Sequence, residues 1–216
     1  MNNRLLWPLF ATYEEDKLFR KDQWNINEYD NKRIIMHDNT NIDLYKPGTG
    51  EAQRLTYSSY YNRNVGKGSV SIQPCNWITT FELWMGAVND TDYLINNKIF
   101  EQQHQFSTEY DNKSGDIPWY NILDRGYRVT DKAWKVGKQY VYQPTFAGAT
   151  KRFTGNQTLR SGATAAIRSG NERAVHLIKL SHYLKNGLRP LESVEDLCNV
   201  WLAWGFQVNF MYEGVH

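Results

Sequence analysis

Short apolar runs separated by polar loops fill the first two-thirds of the chain, and long periodic stretches take over in the last third. Residues 1–31 show no regular period (Glu14, Glu15, Asp16, Lys17, then Asn25–Asn31) and read as a lead-in helix or a loosely packed arm. Arg33–His37 carries Ile34-Ile35-Met36, which predicts a buried strand stopping at Asp38, with Ile42–Tyr45 as its hairpin return before Lys46-Pro47-Gly48. A polar loop rich in Tyr and Ser follows. Ser69–Ile72 and Trp77–Leu83 then predict two strands joined by a Pro74-Cys75-Asn76 turn. Asn89-Asp90-Thr91-Asp92 offers capping side chains before a helix over Tyr93–Gln103. Trp119–Leu123 is another short apolar run ending at an aspartate, Asp124. Val129–Val136 predicts a short helix and Tyr140–Tyr142 a strand closed by Pro144. The strongest helical signal is Thr158–Leu184. There Ile167, Ala174, Leu177, Ile178, Ser181 and Leu184 recur at spacings of three, four and seven, and Gly187 and Pro190 end the run. Ser193–Trp204 predicts a last amphipathic helix with Val194, Leu197, Cys198, Trp201 and Trp204 inward. Strands first and helices last give an α/β class with a mixed sheet.

With 216 residues, 41% of them hydrophobic, the chain has material for one domain with a sizeable core. No run approaches the ~18 apolar residues of a membrane span, and no small-residue cleavage site follows Met1–Phe10, so neither a membrane anchor nor a signal peptide is expected. Cys75 and Cys198 lack metal-ligand spacing, which predicts a reducing, intracellular setting and no structural zinc.

The net charge of +2 is uninformative until it is divided. Residues 1–124 hold 12 Lys/Arg against 17 Asp/Glu, whereas residues 125–216 hold 13 against 6. All the bases of the second part lie between Arg125 and Arg189, where the only acids are Asp131 and Glu172. Clustered bases displace the counterions condensed on a polyanion, so this stretch is a candidate phosphate-facing surface; a solvated face that binds nothing is the plain alternative.

Two predicted strands ending in Asp and a helix carrying Glu form a chemical pattern. Cleaving a phosphodiester needs an activated water or hydroxyl and a stabilised leaving oxygen, and two hard divalent ions ~3.5–4 Å apart supply both. Mg²⁺ takes oxygen ligands, so a few carboxylates held together suffice. Each acid also has a structural reading. Asp38 can make an Asx-type turn, Asp124 can close a turn or pair with Arg125, and Glu172 can pair along its helix with Arg168 or His176.

Several motifs in order resemble Harbinger-like DDE transposases. Ile34-Ile35-Met36-His37-Asp38-Asn39-Thr40 resembles the strand bearing the first aspartate of that family. Arg54-Leu55-Thr56-Tyr57-Ser58-Ser59-Tyr60, with Asn64 and Lys67, is similar to the polar insertion that follows it. Gly86-Ala87-Val88-Asn89-Asp90 is similar to the family's Gly-x-x-Ser-Asp. Leu123-Asp124-Arg125-Gly126-Tyr127 resembles the second catalytic aspartate, and Pro144-Thr145-Phe146 the Pro-x-Phe after it. Arg168-Ser169-Gly170-Asn171-Glu172-Arg173-Ala174, with Ile178-Lys179, resembles the helix of the catalytic glutamate.

The resemblance implies a ribonuclease H-like mixed β-sheet flanked by helices over residues 33–206, with residues 1–32 as an arm and 207–216 as a tail. It also implies two Mg²⁺ or Mn²⁺ ions, DNA as partner, and strand cleavage followed by joining of a 3′ hydroxyl to a target. Asp38, Asp124 and Glu172 are then the catalytic and metal-binding residues; Arg125, Arg168, Arg173 and Lys179 face the DNA backbone, with Lys67 opposite. Asp90 is expected to cap a helix, and His37 and His176 to be structural or phosphate-near, since hard ions favour oxygen.

The departures are specific. Tyr61 stands where a lysine is common, Val65 where a threonine is, and Asn76 where a turn glycine is usual. Ser169-Gly170-Asn171 replaces the more usual Ile-His-Val, and Gly170 costs its helix ~1 kcal/mol relative to Ala. The family's N-terminal DNA-binding region has no room here, which points to a fragment or to a separate DNA-binding protein. A homo-oligomer is a further partner expectation. A nuclear location follows from the family alone. The rival readings are a non-catalytic transposase core serving as a scaffold and a nuclease of the same fold acting on RNA or repair intermediates.

Overall fold

The computed structural model describes residues 10–20, 32–111, 117–124, 126–144, 155–185 and 193–211, with the backbone alone for 156–161 and 163–167. The sheet is mixed. In chain order its strands are β1 (Arg33–Asp43), β2 (Tyr57–Ser58), β3 (Arg63–Ile72), β4 (Ile78–Thr80), β5 (Trp84–Met85), β6 (Trp119–Ile122) and β7 (Tyr140–Tyr142). They lie in the order β2-β3-β1-β6-β7, with β4 and β5 also paired to β3. β1 runs antiparallel to β3 and parallel to β6, and β6 runs parallel to β7. Helices cover both faces, so the fold is the α/β, ribonuclease H-like arrangement that the motifs implied.

Strand periodicity divides the core. Ile34, Met36 and Ile42 of β1 and Ile122 of β6 face α6 (Gly155–Lys179) and α8 (Val194–Met211), packing on Ala174, Ile178, Leu197 and Trp201. Ile35 of β1 and Trp119 of β6 face the other way, toward α3 (Asp90–Asn96) and α4 (Ile99–Glu109), whose Tyr93, Leu94, Ile99, Phe100 and Phe106 cover them. Phe10 is fully buried in this second cluster, and Asp16 of α1 (Tyr13–Leu18) accepts from the Cys75 backbone N–H at 2.9 Å.

Four elements differ from their sequence expectations, each for a tertiary reason. The strand at Ile34 does not stop at Asp38. It runs on to Asp43, because Asp38–Asp43 pair residue by residue with Val70–Val65 of β3, so Ile42 belongs to the same strand and not to a hairpin return. The polar insertion holds a helix, α2 (Gly50–Thr56), capped by the Thr49 hydroxyl accepting from the Ala52 N–H at 3.3 Å. The helix expected over Tyr93–Gln103 is two, α3 and α4, broken at Lys98, whose φ of 52° is left-handed. The long C-terminal helix likewise breaks after Lys179 and resumes as α7 (His182–Lys185); Gly187 and Pro190 lie outside the described residues.

Val194, expected inward, is exposed because it opens α8, one turn short of the residues that reach the core. Other expectations hold. β3 and β4 form the hairpin around Pro74-Cys75-Asn76, and Asn76 has φ 69°, which explains why a glycine suits that turn and why Asn is tolerated in it. The short helix is α5 (Thr130–Lys135). Gly68 of β3 permits close approach of α8, since a Cβ there would stand 2.7 Å from the Trp201 ring. Among the described residues no helix is long and apolar enough to cross a membrane.

Candidate active site

Asp38 sits in mid-strand on β1, opposite Val70 of β3. On its other side Met36 pairs with Ile122 of β6, so Asp124, two residues beyond Ile122, comes level with Asp38, two beyond Met36. Met36 and Ile122 both belong to the core under α6 and α8, so Asp38 stands on that face, just past its apolar floor. Burial, the largest influence, pushes the Asp38 carboxyl up to about 6; Arg168 and the Asn39 N–H oppose this, while Asp124 and Asp90 add to it. Two acids, one on β1 and one just past the end of β6, therefore act on each other across a space that is partly desolvated at Asp38.

The turn carrying Asp124 is braced from three sides. Leu123 N–H donates to Tyr142 O at 3.0 Å, prolonging the β6–β7 pairing by one residue. Gln143, just after β7, donates through Nε2 to the carbonyls of Asp124 and Tyr127, each at 2.8 Å. Arg128 N–H donates to Thr91 Oγ1 at 3.1 Å, tying the far end of the turn to α3. Tyr127 is buried; burial raises its phenol well above the ordinary value, and Asp90, Asp38 and Asp124 raise it further, so the three carboxylates lie around it.

α6 crosses above these strands. Arg168 Nη1 pairs with Asp124 Oδ1 at 3.3 Å on the β6 side, and Asn171 Nδ2 donates to Val70 O at 3.4 Å on the β3 side. The strand between them is β1, so the helix passes over Asp38. Glu172 follows Asn171, one turn beyond Arg168, and is exposed. Among the described residues no three His, Cys, Asp or Glu side chains are gathered closely enough to hold a metal ion. The structure thus brings Asp38 and Asp124 together under Arg168 and leaves Glu172 on the same helix without closing a triad. Half-buried carboxylate oxygens of the kind Asp38 and Asp124 present are the hard donors that a divalent cation takes.

The remaining candidates fall in different places. Lys67 Nζ donates to Val88 O at 2.5 Å and to Asp90 Oδ1 at 2.8 Å, and its side chain is only 12% exposed. Asn39 Nδ2 donates to the same Asp90 oxygen at 3.0 Å. The cap of α3 is Asn89, whose side chain accepts from the Asp92 N–H at 2.8 Å, and Asp90 instead balances Lys67. Arg125 lies outside the described residues. Arg173 is exposed on α6. Lys179 is half-buried at the end of α6, its ammonium lowered first by desolvation and then by Arg63, with Asp43 opposing.

His37 points to the opposite face from Asp38. Its Nε2 meets Asn121 Oδ1 at 2.9 Å and its Nδ1 meets Ser71 Oγ, while burial depresses its pKa to about 4. His37 is a neutral core residue, and His176 is exposed. Sequence reading did not single out Gln143, because one glutamine after a short strand carries no signal. It registered Asn171 only as a departure from an apolar pattern.

No curated protein matches the sequence. The family model described as DDE superfamily endonuclease matches residues 37–204, a span that takes in Asp38, Asp124, Glu172 and the sheet between them. On that match, over well more than half of its length, the chain belongs to the DDE superfamily endonucleases.

Proposed function

We propose that this chain is the catalytic core of a divalent-metal-dependent, transposase-like DNA endonuclease in which Asp38, Asp124 and Glu172 supply carboxylate oxygens to Mg²⁺ or Mn²⁺. The observation that carries the reading is the level placement of Asp38 and Asp124 on neighbouring parallel strands beneath α6, with the Asp38 carboxyl pushed up to about 6. When bound, two such ions would activate the attacking water or hydroxyl and stabilise the leaving oxygen.

The protein's part is to hold oxygens and phosphates in place. Asp38 is fixed by its pairing with Val70 of β3, two residues past the last β1–β6 pair, and Asp124 by the braced turn that Gln143 closes. Arg168 neutralises Asp124 and, with a cation in its place, is free to turn to a DNA phosphate. Glu172, exposed on α6 next to Asn171, would supply the third carboxylate oxygen when a cation is bound. Arg125, Arg173 and Lys179 extend the positive surface along the backbone of the DNA, positioning it without reading sequence. Lys67, already matched by Asp90, holds the wall of the site. Joining of the cleaved 3′ hydroxyl to a target strand would use the same oxygens.

The absence of a gathered triad among the described residues favours one rival, a non-catalytic core that binds DNA or protein as a scaffold. Nicking of supercoiled DNA by the purified chain in Mg²⁺ or Mn²⁺ separates the two. Asp124→Asn is expected to lower the rate at least ~100-fold, the scale for removing one group that stabilises developing charge. Equal nicking by both proteins removes the catalytic assignment. A wild-type chain that neither nicks DNA nor gains thermal stability from Mn²⁺ is the scaffold.

A further inference from the structure

The inner stripe of α6 runs through Ala174 and Ile178, both buried against the sheet. One turn earlier the same stripe presents Asn171, which is 0% exposed. A primary amide has two donors and two acceptor sites to satisfy. In Asn171 the nitrogen donates one long hydrogen bond, 3.4 Å to Val70 O, and Oδ1 is buried with no partner among the described residues. Leaving a buried acceptor unmatched is destabilising, and an aliphatic side chain of similar size would avoid that. Packing alone therefore does not account for the residue.

Its position does. Val70 is the direct neighbour of Asp38 across β1 and β3, and Arg168, one turn back on α6, reaches Asp124 across β6. The helix thus puts Asn171 on the side of Asp38 away from Asp124, in the layer between α6 and the sheet to which Asp38 also belongs. Since Nδ2 is turned to the Val70 carbonyl, Oδ1 is turned away from it. An oxygen so placed has a use beside a hydrated hard cation, whose shell takes both ligand oxygens and acceptors for its water protons. It also adds no negative charge to a space already holding Asp38, Asp124 and Asp90.

We propose that the amide oxygen of Asn171 is a neutral oxygen donor of the divalent-cation site, completing on the β3 side what Asp38 and Asp124 begin. The inference rests on the metal-dependent reading above and adds a residue to it.

Thermal unfolding of wild type, Asn171→Val and Asn171→Asp across a Mn²⁺ titration tests it without reference to activity. Asn171→Val is expected to melt at or above the wild-type temperature without metal, because the orphaned oxygen is gone. Its half-saturating Mn²⁺ concentration should rise roughly 10- to 100-fold, the range for losing a supporting partner of a metal site. Asn171→Asp should show the reverse, a lower metal-free melting temperature and saturation at lower Mn²⁺, and it decides the matter if the valine variant does not fold. Wild-type Mn²⁺ dependence in Asn171→Val or in Asn171→Asp makes the residue a packing feature only and overturns the proposal. A wild-type chain with no Mn²⁺-dependent stabilisation overturns the cation site itself, together with the reading it rests on.

Discussion

His37 and Asp38 are neighbours in one strand, yet the two faces of the sheet treat them in opposite ways. His37 is enclosed by neutral amides: Asn121 accepts from Gln103 Nε2 at 2.9 Å and donates to Gln139 Oε1 at 3.1 Å, and Gln139 Nε2 donates to Phe100 O at 2.7 Å. Asp38 is surrounded by charges, with Asp124 and Asp90 on one side of the balance and Arg168 on the other. Burial disfavours the charged form of both groups, lowering the histidine to about 4 and raising the aspartate to about 6. A network closed on itself with neutral partners serves the fold. A cluster of carboxylates gathered with a guanidinium and half open to solvent offers oxygens that a cation can use. The comparison teaches that a shifted pKa marks burial and that the partners decide whether the buried group does chemistry.

The largest stability effect that sharpens this contrast is at Asn121. Replacing it by alanine leaves His37, Gln103 and Gln139 without a central partner in a fully buried space. Loss of stability on the order of 3 kcal/mol is expected, because each stranded buried group costs about 1–3 kcal/mol. Chemical denaturation measures the loss, and the Mn²⁺-induced rise in melting temperature should be unchanged. A change in the metal response of Asn121→Ala would mean that the two faces are coupled.

The pH dependence of the metal-free chain comes next. His37 is held below its ordinary value of 6.5, so its contribution is present above that pH and is lost as pH falls toward 4. Asp38 is held above its ordinary 3.8, so the folded state binds the extra proton and stability falls as pH rises toward 6. The windows overlap and the slopes oppose, so the contributions of these two groups largely cancel between pH 4 and 6. Asp38→Asn removes one arm. Its stability should climb with pH across that interval by about 2 kcal/mol relative to the wild-type profile, discounted from the full shift because Asp38 is partly open to solvent. Equal slopes for the two proteins in urea titrations at stepped pH would place Asp38 in water, not in a desolvated site.

How much of this was legible in the sequence depends on how local its cause is. Trp119–Leu123 followed by Asp124 reads as a strand reaching an acid, because the apolar run and its polar end are adjacent. Asp38 was found, but its place in mid-strand was hidden. Asn39, Thr40 and Asn41 look like turn chemistry, and only pairing with the glycine-containing stretch Gly66–Ser69 keeps them extended. The break at Lys98 depends on one left-handed residue with no glycine to announce it. The Lys67–Asp90 pair spans 23 residues, and the contact between α6 and the braced turn spans 44, from Asp124 to Arg168. Neither separation leaves a mark on the pattern of apolar positions.

The smallest effect tests how the open face holds its geometry. Gln143 reaches two carbonyls of the Asp124–Tyr127 turn from the end of β7, so one side chain sets the distance between that turn and the sheet. Gln143→Met keeps the length and loses the donor. The cost to stability should be about 1 kcal/mol, since the freed carbonyls are only partly buried and can find water. The cost to metal binding should be larger in proportion, roughly 10-fold in Mn²⁺ affinity, as expected for a residue that orients a ligand without touching the ion. Raised Mn²⁺ demand together with a nearly unchanged metal-free melting temperature distinguishes positioning from plain packing. If Gln143→Met instead loses stability and keeps its Mn²⁺ affinity, the turn is held by Leu123 and Arg128 alone, and Asp124 needs no brace from β7.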